Sequence, residues 1–229
     1  MPTDKPTLGD VMVEKPERRS YRAPRRDEQK RLTRKRILEC ALIDFSQRGF
    51  DASSLRDIAK EAGTSFSAIQ KHFGNKTELW RAAIDEMFAR QDEELAFSSF
   101  MDADRLTSED LREIVHRYVR YCARHPEHLR ITVHESLRDT DRAQWIAERH
   151  TKRVHQPFMR LFAQAVADGL LPAVPMPSML YIMASAAEMM FALGAEVNHV
   201  YGVDVRDPAV IEAHANGICS LLLRSAGSS

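Results

Sequence analysis

Cysteine is nearly absent from this chain of 229 residues, and the three present, Cys40, Cys122 and Cys219, stand far apart among apolar neighbours with no CxxC. Neither a disulfide framework nor a zinc ribbon is supported, and the simplest reading is three buried thiols in a reducing compartment. Glycine and proline are scarce, at 9 and 10 residues, and there is no internal repeat. No run approaches the roughly 18 apolar residues that read as a membrane span. The richest stretch, 176–200, is broken by Ser, Glu and Asn. The N-terminus is polar and lacks the apolar segment of a secretory signal. A cytoplasmic protein with no membrane partner is expected.

Motifs of catalysis are missing too. The chain has no P-loop, dinucleotide fingerprint, GxSxG elbow or HExxH pair, so no enzyme and no cofactor are expected. Nine histidines invite a metal reading, but His125 and His128 flank Pro126, and His150 and His155 are five apart on different helical faces. No compact set of three or four ligands emerges, and no metal site is expected.

What is present is an uneven charge. The formal net charge is zero, yet residues 15–36 hold eleven Lys/Arg against Glu17, Asp27 and Glu28, while residues 92–229 hold 14 basic and 19 acidic residues. A basic head on an acidic body suggests that only the head meets a polyanion. Residues 1–27 are polar, charged and poor in apolar side chains, the composition of a disordered basic arm.

Helical periodicity dominates the rest. Leu32, Ile37, Leu38, Ala41, Leu42 and Phe45 recur at helical spacing up to Gly49. Ser54-Leu55-Arg56-Asp57 is a capping-box-like helix start, Gly63 supplies a turn, and Ser65 is placed to cap a helix through Phe73. Asn75-Lys76-Thr77-Glu78 opens a longer helix through Phe88. Beyond about residue 91 further amphipathic helices follow: Leu111–Val119, Leu129–Leu137, and 141–168 with Pro157 kinking or restarting it. A nearly all-apolar helix, Met179–Tyr201, and a last one after Asp207-Pro208 close the chain. No period-2 alternation is sustained, so an all-α chain of roughly nine helices is expected. It divides into the arm (1–27), a three-helix head (28–91) and a helical body (92–229).

The final two helices, about 177–201 and 208–224, carry Ala184, Ala186, Ala187, Ala192, Gly194 and Ala195 on one and Ile211, Ile218 and Leu222 on the other. They are either internal core or a four-helix interface with a second copy.

Two short helices joined through a Gly-containing turn form a helix-turn-helix, whose second helix enters the DNA major groove. Spacing alone equally permits a plain helical hairpin. Residues 34–83, however, closely resemble the N-terminal domain of the TetR family of transcriptional regulators. The matching positions include Ile37-Leu38, Ala41, Phe45, Gly49-Phe50, Ser54, Asp57-Ile58-Ala59, Ala62-Gly63, Ser65, His72-Phe73, Lys76 and Leu79. The resemblance implies a homodimer on a palindromic double-stranded operator, usually repressing, and released when a small molecule enters the C-terminal domain. It makes Ser54 and Lys76 phosphate contacts and the Ser65–His72 helix the base reader. The full DNA-facing set is Ser54, Thr64, Ser65, Ser67, Ala68, Gln70, Lys71, His72 and Lys76, with Arg31 and Arg34 following the backbone. Three positions depart from the family's usual pattern: Gln70 where Tyr is commonest, Phe66 where a polar residue is common, and Ser67 where Gly is usual. Because Gln can pair bidentately with adenine, Gln70 is assigned to base readout.

An effector is expected among the helices of residues 105–200, since bundle interiors are common ligand sites. Candidate lining residues are Tyr118, Tyr121, Trp145, Phe158, Phe162, Met183 and Phe191, with His134 or Glu135 as a polar handle. An apolar or amphipathic molecule fits that lining. These side chains equally fit a closed core, and an architectural DNA binder without a ligand is the competing reading.

Overall fold

The computed structural model describes residues 22–101 and 103–224, which are helical with no strand among them. Most of the expected basic arm, residues 1–21, lies outside the described residues. Helix α1 (Arg22–Ala52) opens before the apolar pattern does and is interrupted at Gly49, whose φ of 72° lies in the left-handed region. Its inward stripe is Ile37, Leu38, Ala41, Leu42 and Phe45, all buried, whereas Leu32 is half-exposed because it precedes the helices that could cover it.

The two local starts read from the sequence are built as capped helices. The Ser54 hydroxyl accepts the Asp57 N–H at 3.4 Å at the head of α2 (Leu55–Glu61), which buries Ile58 and Ala59. Gly63 turns the chain at φ 61°. The Ser65 hydroxyl accepts from Ala68 N–H at 3.2 Å to start α3 (Phe66–Phe73), pinned inward by Ile69 and Phe73. Asn75 caps α4 (Lys76–Leu95) by accepting the Glu78 N–H at 2.9 Å. Each such cap is worth about 1 kcal/mol.

The body follows as α5 (Ser98–Met101), α6 (Ser108–Arg124), α7 (Glu127–Ser136), α8 (Asp141–Ile146), a π-helical turn (Ala147–Thr151), α9 (Lys152–Ala167), α10 (Met176–Ala192), α11 (Gly194–Tyr201) and α12 (Pro208–Leu222). Thr107 and Asp110 form a reciprocal capping box at α6. The segment 141–168 is continuous, and Pro157 sits inside α9 rather than restarting it; the wide turn lies upstream at 147–151. The expected single helix Met179–Tyr201 is two helices, bent by 69° at Leu193. The break coincides with a close approach: a Cβ on Gly194 would meet Val205 Cγ2 at 2.7 Å. This break and the short α5 take the count past the nine expected.

Two hydrophobic cores result. One gathers α1–α4 and also takes Ile131 of α7 and Ile146 of α8. The other joins α6, α9, α10 and α12 and reaches Leu95 at the end of α4. The Trp80 and Trp145 rings, 5.6 Å apart, stitch the first core to α8. No single described helix is long and apolar enough to cross a membrane. Trp80 is 1% exposed, so Trp80→Ala should remove about 3–5 kcal/mol of unfolding free energy. Urea denaturation followed by circular dichroism will measure this, and a loss below about 1 kcal/mol would show that the site repacks.

Candidate nucleic-acid interface and effector cavity

On α3 and the two residues before it, Ser65, Ser67, Gln70 and Lys71 are exposed, while Thr64, Ala68 and His72 are half-buried. The Ser65 and Ser67 hydroxyls lie 2.9 Å apart, so the side chain at position 67 is tied to the cap. Phe66 is 37% exposed and lies under the Arg56 guanidinium at 5.9 Å, which shields an apolar ring where a polar side chain is usual.

Cations lie around this helix. Lys76 Nζ donates to the Asp51 carbonyl at 3.1 Å and stands 4.7 Å from the Phe50 ring, which fixes it at the positive end of α4. Asp51 is three residues before Ser54, so the fold brings the Lys76 ammonium to the α2 start. Arg34 lies 5.3 Å over the Phe73 ring at the end of α3. Arg31 stands one turn earlier on α1 and pairs with Glu28 at 2.7 Å. Arg36, not singled out from the sequence, donates to the Ala62 carbonyl beside Gly63 at 3.4 Å and so reaches the helix-turn-helix turn.

The body contains a cavity of about 360 Å³ walled by α4, α6, α7, α9 and α10. Of the eight candidate residues, Tyr118, Phe158, Phe162 and Met183 line it. The other four lie elsewhere. Tyr121 stands behind the wall, its hydroxyl 2.9 Å from His128 Nδ1. His134 faces α1, 3.6 Å from where a Cβ on Gly49 would be. Trp145 is committed to Trp80, and Phe191 packs on His214 at 5.5 Å. Glu135, the alternative polar handle, is buried in an ion pair with Arg142 at 2.9 Å.

Apart from the Tyr118 hydroxyl, the polar groups in the wall are ones the sequence did not single out. On α7 they are His128, Thr132 and Ser136, spaced i, i+4, i+8, the face opposite His134. Gln91 of α4 and Glu188 of α10 join them. The Tyr118 hydroxyl donates to Glu188, whose carboxyl is raised above the usual range because burial outweighs that hydrogen bond. Burial likewise holds the His128 imidazole down to about 3 and lowers His155. No group of three or more His, Cys, Asp or Glu side chains that could hold a metal occurs among the described residues.

Comparison with known proteins matches this arrangement. Residues 37–83 match the family model described as bacterial regulatory proteins of the tetR family, and residues 108–222 match the tetracyclin repressor-like C-terminal domain. The chain belongs to the TetR family of transcriptional regulators and carries its DNA-binding helix-turn-helix; this is a family of regulators and not of enzymes. It is 29% identical over 161 residues to the HTH-type transcriptional repressor SCO4008 of Streptomyces coelicolor, covering 68% of this chain and 76% of that protein. It is 40% identical over 68 residues to the regulator TtgR of Pseudomonas putida, covering 30% and 32% of the two chains. Among solved structures, AibR in complex with isovaleryl coenzyme A and operator DNA superposes with a TM-score of 0.67 at 19% identity, over 83% of this chain and 97% of that one. A TetR family regulator from Marinobacter aquaeolei superposes at 0.64, with 21% identity and 87% of this chain covered.

His128 offers a direct check of the cavity wall. Its folded value near 3 lies below the ordinary 6.5, so its stabilising contribution is full above pH 6.5 and is lost as pH falls through that value. Between pH 7 and pH 5 the loss due to His128 should be about 2 kcal/mol. In urea titrations at both pH values, the wild type should lose about 2 kcal/mol more unfolding free energy than His128→Gln between pH 7 and pH 5.

Proposed function

We propose that this regulator is a repressor that binds a palindromic operator as a homodimer through α10 with α11 (about 177–201) and α12 (about 208–224), and leaves it when a small apolar or amphipathic molecule fills the cavity. The observation that carries the reading is the span of α4. Lys76 at its first position sits beside the helix-turn-helix, and Phe88, Gln91 and Leu95 in its last turns line the cavity. A ligand that needs those last turns in a different position shifts the head by differential binding to two states. Helix α7 supports the same coupling, with Thr132 and Ser136 toward the cavity and Ile131 in the core of the head.

Dimerisation is supported by apolar side chains left outside. Ile182 and Met189 of α10, Leu193, Val200 and Tyr201 beyond it, and Leu221 of α12 are between 45% and 85% exposed. A two-fold axis relating two copies would place two α3 helices in successive major grooves, roughly 34–36 Å apart. The DNA-facing set is then Ser54, Thr64, Ser65, Ser67, Ala68, Gln70, Lys71, His72 and Lys76, with Arg31 and Arg34 near the backbone. A cytoplasmic location follows from this role.

Selection of bound sequences from random duplex DNA should enrich one palindrome; failure to enrich any would support sequence-indifferent, architectural binding instead. With that operator in hand, Gln70→Ala should relax preference at one position per half-site by about 1–3 kcal/mol. Lys76→Ala should weaken all variants alike and reduce the salt slope by about 1. A uniform loss for Gln70→Ala would assign it to the backbone.

A further inference from the structure

The cavity wall carries hydroxyl and imidazole groups, among them Thr132, Ser136 and His155, but it is one-sided in formal charge. Most of it is aliphatic or aromatic, and no Lys or Arg among the described residues lines it. Its hydrogen-bonding groups include two acceptors without adequate partners. Gln91 is 6% exposed, and its Oε1 has no hydrogen-bond partner. Glu188 takes the Tyr118 hydroxyl, and no basic side chain among the described residues pairs with it.

We propose that the cavity selects a lipophilic ammonium, a molecule with an apolar body, one positive charge and N–H donors, and rejects carboxylates and phosphates. The inference rests on the cavity being the effector site. A desolvated anion here would face Glu188 with no cation to receive it, and an unpaired buried charge is costly. An ammonium supplies the counter-charge that Glu188 lacks and a donor suited to Gln91 Oε1. The aromatic faces of Tyr118, Phe158 and Phe162 add cation–π attraction. A neutral alcohol could satisfy Gln91 but gains nothing from the charge of Glu188. Burial has pushed the Glu188 carboxyl upward, as expected of an acid buried without a counter-ion. The coenzyme A ester seen with AibR carries phosphates, so its chemistry does not suit this wall although the folds agree.

Three probes with one hydrocarbon body separate the possibilities: phenylbutylammonium, phenylbutanol and phenylbutyrate, titrated calorimetrically into the full-length protein. The ammonium should bind about tenfold or more tightly than the alcohol, and the carboxylate should bind most weakly. Glu188→Gln should bring the ammonium to the affinity of the alcohol and leave the alcohol unchanged. Phenylbutyrate binding as tightly as the ammonium, or an ammonium preference that survives Glu188→Gln, overturns the proposed class but keeps the cavity as the site. Should Glu188→Gln not fold, the ranking of the three probes on the wild type decides the class alone. Ala184→Trp, which fills the cavity, should abolish binding of all three. Binding that survives it, or no binding of any probe to the wild type, overturns the cavity reading itself and the class with it.

Discussion

The molecule depends on one helix being buried in two places at once. Leu79, Trp80, Ala83, Ile84, Met87 and Phe88 of α4 are all less than 5% exposed within the core of the head, and Leu95, two turns after Phe88, belongs to the core of the body. A fully buried side chain of this size contributes about 1.5–3 kcal/mol. The helix therefore has strong contacts at both ends and little freedom to bend between them. Interiors packed to crystal-like density have discrete alternatives and do not deform continuously. A change of packing around Phe88, Gln91 and Leu95 must be absorbed either in the cavity wall or by the head.

The head itself leaves little slack. The chain reverses at Gly49, Gly63 and Gly74, each with φ between 61° and 83°, a region that a side chain with a Cβ enters only with strain. Between these turns the three short-range caps at Ser54, Ser65 and Asn75 fix where each helix begins. Lys76, bonded to the Asp51 carbonyl, ties the start of α4 to the end of α1. Arg138, in the loop after α7, reaches the Asp51 carboxylate at 3.3 Å, though both side chains are largely exposed and the pair contributes little to stability. Its interest is positional, since it links the α7 loop to the same corner that holds Lys76.

This division between local and distant determinants explains what the sequence disclosed. Caps and glycine turns act within four residues, so Ser54, Gly63, Ser65 and Asn75 could be read directly, and the helix α3 with them. The family resemblance rests on the same stretch. The cavity depends on which face of α7 or α10 meets helices dozens of residues away, and apolar periodicity does not distinguish a cavity wall from a closed core. His134 and His128 are both histidines on α7, six residues apart; the fold sends one to α1 and the other to the cavity. Period-matching would have grouped His128, Thr132 and Ser136 on one face. Nothing local could have placed that face opposite Glu188. The break at Leu193 was equally hidden, because its partner, Val205, lies beyond the next turn.

Helix α10 then acquires two roles from its two faces. Met183, Ala187 and Glu188 look into the cavity, while Ile182 is exposed next to Met183. Met189 reaches the cavity wall yet keeps 45% of its surface outside. In the proposed dimer the outer face would be held by the second copy, so α10 would be the most constrained wall of the cavity. The adjustable walls are then α4 and α7, which are not part of that interface and which both continue into the core of the head. A ligand anchored on Glu188 would push against a fixed α10 and transmit its demand toward Lys76. In that proposal, anchoring on the rigid wall would let a binding event in the body be felt in the DNA-binding head.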